Sequence, residues 1–295
     1  MESSTEQLIT QLKAFAEPVR LRLLALCVRG ECTVSELTQV LGLSQPRISQ
    51  HLKQLCGAGL LERFRDGHFV YYRVPLGAER AAERRRLFAL LPADETAFES
   101  DFDKLCALRS ERGLAVPEQD DASVRELHKA LIELTVTMPL GDLIDIGAGR
   151  GRLLKLLGSR AQRAVGVDVD ADARQLARAE LLLARIENCS LRHGDMYELA
   201  FADGEFDTVI LDDVLNDSNR PMVAIAEARR IMKPGGRLLL LSRLADGRTD
   251  ALRKQLAVWC GAAGLRLSQP RHIPAKDPQW LLAVGSVADQ GSAAA

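Results

Sequence analysis

The chain has 295 residues, enough for two separate cores, with 47% apolar and 27% charged residues and a net charge of −1. No run of about eighteen apolar residues occurs, so no membrane span is expected, and the opening MESSTEQ lacks the basic and apolar regions of a signal peptide, so a cytoplasmic protein is expected. Six cysteines, at 27, 32, 56, 106, 189 and 260, form no C-x-x-C pair, which argues against a disulfide framework or a zinc ribbon.

Leu8–Phe15 and Val19–Arg29 read as the first two helices, with Pro18 at a helix start and Leu12, Phe15, Leu21, Leu24 and Val28 facing inward. Thr33–Leu43 (TVSELTQVLGL) predicts a supporting helix. Val34, Leu37 and Leu41 line one face, and Thr33 with Glu36 makes a capping box. Leu43-Ser44 is a tight turn into a second helix, with Ser44 as N-cap and Pro46 in the first turn. Ile48, Leu52 and Leu55 give that helix an apolar face. Gln45, Arg47, Ser49, Gln50, His51 and Lys53 occupy the other face and offer donors for phosphate oxygens and base edges. Gly57 and Gly59 end it. Two strands follow, Leu60–Arg65 and Phe69–Val74, joined by the hairpin dipeptide Asp66-Gly67. A polar-faced helix followed by a basic hairpin reads as a recognition helix and wing. The candidate DNA contacts are Ser44, Gln45, Arg47, Ser49, Gln50, His51 and Lys53 on the helix, and Arg63, Arg65, His68 and Tyr71 on the wing.

Residues 8–75 resemble the ArsR/SmtB-type winged-helix repressors, through AEPVRLRLLALC, TVSELTQVLGLSQPRISQHLKQLCGAGLL and the wing RDGHFVYYRV. The resemblance implies a homodimer that reads an inverted-repeat operator in double-stranded DNA. That family's metalloid loop carries two thiols around a Val. Here Thr33 and Ser35 flank Val34, and Cys32 stands one position off, so no metal site is expected. Cys32 reads instead as a small buried apolar residue.

Glu79–Leu91 is a charged helix (ERAAERRR), either a solvated face or, by the resemblance, a dimerisation helix. Residues 1–92 hold 13 Lys/Arg against 9 Asp/Glu, and residues 93–135 hold 5 against 11. The basic segment is the one with the DNA-reading pattern, and the acidic one should sit away from DNA. From Pro92 to Pro117 a helical connector keeps Phe98, Phe102 and Leu105 on one face, until Gly113–Pro117 breaks it. Val124, Leu127, Leu131 and Leu134 then repeat at heptad spacing, on a helix that packs either on the next domain or against a second copy. Ser123–Val136 is the candidate for carrying a ligand's effect to DNA, since the connector is the only covalent route expected between the two domains.

After Pro139 short apolar runs alternate with helices: strands at Leu143–Ile146, Arg163–Val167, Ser190–Arg192, Thr208–Leu211 and Arg237–Leu241, and helices at Leu153–Leu157, Ala171–Arg185 and Met222–Met232. This predicts a mostly parallel sheet with helices on both faces. Ser286–Ala295 reads as a disordered tail. The fold class expected is α/β plus α+β: a winged helix-turn-helix at 1–92, a helical connector at 93–139, an α/β ligand domain at 140–285 and a tail at 286–295.

Asp142–Arg152 reads DLIDIGAGRGR, a strand, a glycine turn and a helix start. Such a turn lets a ligand approach the backbone and leaves helix N–H groups for an anion. Asp168 ends the next strand about 20 residues on, where it can accept both ribose hydroxyls. Arg152 stands where a dinucleotide fingerprint needs its third glycine, and Asp145 puts a carboxylate where an ammonium is welcome. An adenosine with a zwitterionic tail fits better than a dinucleotide.

Residues 141–245 resemble the class I S-adenosylmethionine-dependent methyltransferases, which have a Rossmann-like fold. The resemblance implies S-adenosylmethionine or S-adenosylhomocysteine as ligand. It puts Asp145, Gly147, Gly149 and Gly151 on the methionine end, Asp168 and Val169 at the ribose, Asp195 and Met196 beside the adenine, and Asp212 in the same pocket. IMKPGGRLLL matches the family's turn into the fifth strand. The departures lie on the acceptor side. LDDVLNDSNRP is polar and has no aromatic, Leu244–Thr249 is short, Tyr197 and Trp280 are the other candidates nearby, and no catalytic residue is identified. Two functions stay open: a transcriptional regulator, expected to be a repressor, that senses an adenosyl ligand and controls methionine-cycle genes, and a methyltransferase with a regulatory DNA-binding domain.

Overall fold

The structure is a computed structural model and describes residues 4–75, 81–92, 95–111, 122–244 and 249–287. It divides into two compact units, Met1–Val116 with Arg178–Glu187, and Pro117–Ala177 with Asn188–Ala295. The connector is therefore not the only covalent passage, because the chain also crosses between the units at 177/178 and 187/188.

In the first unit, α1 (Ser4–Phe15) and α2 (Pro18–Arg29) open the chain. The Glu17 carboxylate caps α2, accepting from the Arg20 backbone N–H at 2.8 Å. Leu12, expected inward, is exposed together with Leu8 and Ile9, while Gln11 and Ala14 are buried. The short strand β1 (Cys32–Thr33) leads into α3 (Val34–Leu41), where the expected capping box forms. The Glu36 N–H donates to Thr33 Oγ1, and the Thr33 N–H donates to Glu36 Oε2. α4 (Gln45–Gly57) begins after Ser44, whose backbone is extended but whose hydroxyl makes no cap bond. Strands β2 (Glu62–Asp66) and β3 (Phe69–Arg73) pair antiparallel across Asp66-Gly67, and β1 pairs with β3. α5 (Ala81–Phe88) and α6 (Thr96–Glu111) follow. Residues 79–80 of the expected charged helix, and the break at 113–117, lie outside the described residues. Leu23, Leu37, Ile48, Leu52 and Leu55 are fully buried, and Phe102 and Leu105 of α6 join the same core.

Beside that core lies a buried ionic cluster. Arg109 pairs with Glu36 at 2.9 Å, Arg73 with Glu31 at 2.8 Å, and Arg178 with both Glu31 and Asp66 at 2.5 Å. Burial pushes the Glu36 carboxyl up, but the charge and hydrogen bonds of Arg109 outweigh it and hold it below its ordinary range. Such pairs are individually weak evidence of stability, yet removing one partner strands a buried charge.

The second unit starts with α7 (Ala122–Thr137), whose Val124, Leu127 and Leu131 are buried while Leu134 is half-buried. The helix lies near β10, so it packs within its own unit. The alternation then runs β4 (Asp142–Ile146), α8 (Arg152–Leu157), β5 (Arg163–Asp168), α9 (Ala171–Leu183), β6 (Cys189–His193), β7 (Phe206–Asp212), α10 (Pro221–Ile231), β8 (Met232–Arg243), α11 (Thr249–Ala262), β9 (Leu265–Leu267), β10 (Arg271–Ile273) and β11 (Trp280–Val287). The sheet order is β10-β11-β8-β7-β4-β5-β6, with β9 also on β11. β6, β5, β4, β7 and β8 are mutually parallel, and β11 runs antiparallel to β8. β11 also corrects the expected tail. Ser286 pairs with Arg237 of β8 and Arg266 of β9, and Val287 with Leu265 of β9, so the strand runs on to Val287. Residues 288–295 lie outside the described residues.

Candidate functional site

On the first unit, the helical periodicity of α4 turns Ile48, Leu52 and Leu55 into the core and leaves Gln45, Arg47, Ser49, Gln50 and Lys53 exposed with the cap Ser44. Arg63, Arg65 and His68 are exposed on the hairpin. A groove of about 660 Å³ runs between helix and hairpin, lined in part by Gln45, Ser49, Lys53, Arg63 and His68. Two expected contacts stand elsewhere. His51 turns toward the Glu17 carboxylate, 3.5 Å away, with its side chain only 14% exposed. Tyr71 is buried beneath Arg178, whose guanidinium sits 4.2 Å from the ring centre, and stacks on Phe64. Neither presents a surface to a nucleic acid.

In the second unit, β4 has β5 on one side and β7 on the other, and the chain winds away from β4 in both directions. The crevice at the carboxyl ends of β4 and β7 is thus the switch point where ligands of open α/β sheets bind. The glycine loop after β4 is anchored there. Gly147 and Ala148 donate their N–H groups to the Val167 carbonyl, at 2.8 and 2.9 Å. Gly147 has φ +73°, and a Cβ on it would meet Val214 Cγ1 at 2.2 Å, so only glycine fits. Gly149 has φ +51°, and a Cβ there would meet no protein atom within 4 Å, so the space beside it is open to a ligand. Gly151 is the left-handed N-cap of α8.

Around this loop stand the expected acids. Asp168 Oδ2 accepts the Gly149 N–H at 2.7 Å, and its Oδ1 accepts the Asp170 N–H at 2.9 Å. Each oxygen keeps a second lone pair for a ribose hydroxyl. Arg174, 1% exposed, donates to the Asp168 carbonyl at 2.7 Å and so fixes the end of β5, a role its sequence position does not advertise. Val169 is 62% exposed, an apolar face next to that acid. Asp195 is exposed at the next strand end and accepts the Tyr197 N–H at 3.0 Å, and Met196 packs against the core.

Asp145, at 1% exposure, and Asp212 face the loop, and Oδ1 of each is buried with no hydrogen-bond partner. Burial first, and the neighbouring Asp212 second, push the Asp145 carboxyl well above its ordinary value. Burial likewise raises Asp212, against the pull of Arg152. Arg152 bonds Asp212 Oδ2 through Nη2 at 2.6 Å and lies over the Trp280 ring, 5.2 Å from its centre. On the acceptor side the tertiary fold supplies an aromatic that the stretch after β7 lacks. Tyr197 Oη lies 2.9 Å from Ser218 Oγ, and Arg220 covers the Tyr197 ring at 4.2 Å. The two cysteines of this unit, Cys189 and Cys260, are buried: the first begins β6 at the opposite strand end, and the second, on α11, joins the core.

Two family models match the chain: the bacterial regulatory protein arsR family over residues 17–63, and the methyltransferase domain over residues 144–240. An arsenite methyltransferase of Aquipseudomonas alcaligenes is 36% identical over 145 residues, covering 44% of this chain and 42% of that protein. An arsenic resistance transcriptional regulator of Pseudomonas putida is 51% identical over 63 residues, covering 21% of this chain and 49% of that protein. The chain thus spans about half the length of these curated relatives. An S-adenosylmethionine-dependent methyltransferase from Aquifex aeolicus superposes with a TM-score of 0.49 at 17% identity, covering 57% of this chain and 95% of that one. The chain joins an arsR-type DNA-binding helix-turn-helix to a Rossmann-like methyltransferase domain.

Proposed function

We propose that the protein is a transcriptional regulator whose methyltransferase-type unit binds S-adenosylmethionine or S-adenosylhomocysteine as an effector of DNA binding. The observation that carries the ligand is the pair of unpartnered buried oxygens, Asp145 Oδ1 and Asp212 Oδ1, beside a glycine loop with open space at Gly149. Buried acceptors without partners are costly unless a ligand satisfies them, and an amino-acid ammonium does so. Asp145, Gly147, Gly149 and Gly151 would hold the amino-acid end. Asp168 and Val169 would hold the ribose, with Asp195 and Met196 beside the adenine. Of the two, only S-adenosylmethionine would supply an activated methyl to an acceptor. The regulator reading is supported by the exposed polar face of α4 in the same chain.

In this reading residues 1–92 read double-stranded DNA, 93–139 connect, and 140–285 bind the ligand. The exposed apolar Leu8, Ile9 and Leu12 on α1 suit a homodimer interface, and a dimer would read an inverted repeat. Repression, a cytoplasmic setting and control of methionine-cycle genes belong to the same proposal.

A second reading, methyl transfer under the control of the DNA-binding unit, is favoured by the 36% identity to an arsenite methyltransferase. Trivalent arsenic prefers thiolates, and the buried positions of Cys189 and Cys260 supply none to the glycine-loop crevice. Arsenite as the acceptor is therefore poorly served by this unit. Calorimetric titration of both adenosyl compounds into the wild type, Asp168→Ala and Gly149→Val tests the pocket. Binding in the wild type and loss in both variants is expected, and wild-type affinity in both variants would rule the pocket out.

A further inference from the structure

Arg152 is the first residue of α8 and projects across the glycine-loop crevice, where its guanidinium is held by Asp212 at 2.6 Å and lies 3.4 Å from His128 Nε2 of α7. Its side chain is 17% exposed and that of Asp212 15%, so the pair is neither fully buried nor freely solvated. Asp145, Asp168 and Asp212 stand around it with acceptors only. A site lined by acids alone would favour a ligand that is a plain cation. A guanidinium among them changes that, because it offers N–H donors in a planar fork that matches a carboxylate. Acceptors without partners on one side and a guanidinium on the other match the two ends of a zwitterion.

We infer that Arg152 is the residue that makes this pocket specific for an adenosyl ligand bearing a free α-carboxylate, through an exchange of partners. The ligand carboxylate takes the Arg152 fork, Asp212 is released toward the ligand ammonium, and Asp145 completes the ammonium site. One internal ion pair is thereby replaced by two with the ligand, and the buried oxygens of Asp145 and Asp212 gain a donor. No bond is made or broken in this exchange. The inference rests on the adenosyl reading of the pocket. Trp280 keeps the guanidinium plane in place during the exchange, through the ring contact described above.

The test compares two ligands that differ only in the carboxylate, S-adenosylmethionine and its decarboxylated form, by calorimetry on the full chain. Wild type should prefer S-adenosylmethionine by about 10- to 100-fold, as expected for a charge-assisted pair. Arg152→Met should remove that preference, weakening S-adenosylmethionine while the decarboxylated form, a plain cation now facing acids alone, binds at least as well as to the wild type. Arg152→Lys should restore part of it, since charge returns without the fork. Retained or tighter binding of the decarboxylated form also certifies that the variant pocket is folded. If Arg152→Met keeps the full preference, or weakens both ligands equally, the selection role is wrong while the adenosyl pocket stands. If wild type binds neither compound, the adenosyl reading falls and this inference falls with it.

Discussion

Asp145 joins a buried carboxyl, a neighbouring acid and a ligand charge in one equilibrium. Burial and Asp212 raise its proton affinity, Arg152 opposes them, and Asp168 adds to the rise. A ligand ammonium binds the charged form, so ligand binding must expel the proton. Affinity for S-adenosylhomocysteine should therefore increase with pH from the ordinary carboxylate range of about 4 upward. Asp145→Asn should lose both affinity and slope. A wild-type affinity flat in pH would remove Asp145 from the ammonium site. On the DNA face, Arg47 is exposed at the start of α4, and Arg47→Ala should cost about 1–3 kcal/mol and relax sequence preference if it reads a base. Arg65→Ala should weaken all duplexes alike and lower the salt slope by about 1. Binding titrations on two sequences at several salt concentrations separate the two effects.

Legibility at this scale followed the range of the interactions. The glycine loop was readable because one strand end and one turn fix its geometry within a few residues. Tyr71 was not, because the side chain that covers it, Arg178, is remote in sequence and reads there as one more charge on a solvated helix face. His51 was misjudged for the same reason: its partner Glu17 precedes α2. Arg152 was visible in the sequence only as a missing glycine. Its pairing with Asp212 depends on β4 and β7 being neighbours, which no local pattern encodes.

At the scale of elements, the winged hairpin is held from below as well as by its turn. Asp66, the acid of the hairpin dipeptide, is 5% exposed and bound by Arg178, which also holds Glu31. Arg178→Ala takes a buried ion pair from each acid, leaving Glu31 with Arg73, and should destabilise the hairpin and α3 by about 3–5 kcal/mol. Hydrogen exchange on β2, β3 and α3 measures it, and unchanged protection would mean that the cluster is dispensable. Glu36 gives the cluster a pH dependence of known sign. Its carboxyl is held below its ordinary value, so the stability it contributes is complete above that value, about 4, and is lost as pH falls through the lower folded one. Acidification should therefore loosen α3 in the wild type and add little in Glu36→Gln, where protection is already reduced at neutral pH. The capping box that introduces α3 was legible from Thr33 and Glu36 alone. The second duty of Glu36, as partner of Arg109, was not.

For the whole molecule, the order of the main elements as far as β8 followed from the sequence, since a helical, hairpin-ended segment followed by alternating strands and helices admits few architectures, whereas the antiparallel strands β9 to β11 did not. The division of the chain did not. α6 counts with the first unit and α7 with the second, so the connector is not a single body, and residues 178–187 return to the first unit from within the α/β alternation. Coupling between ligand and DNA is a free energy whatever route carries it. A 100-fold effect on operator affinity requires about 2.7 kcal/mol of differential binding, and reciprocity requires operator DNA to change ligand affinity by the same factor. The most direct measurement is operator affinity by fluorescence anisotropy, on a duplex selected by the protein from random sequence, with and without saturating S-adenosylhomocysteine or S-adenosylmethionine. A regulator predicts a shift with at least one of the two in the wild type and none in Asp168→Ala. Identical curves with both ligands bound, together with methyl transfer to an acceptor, would contradict it and leave an enzyme in its place.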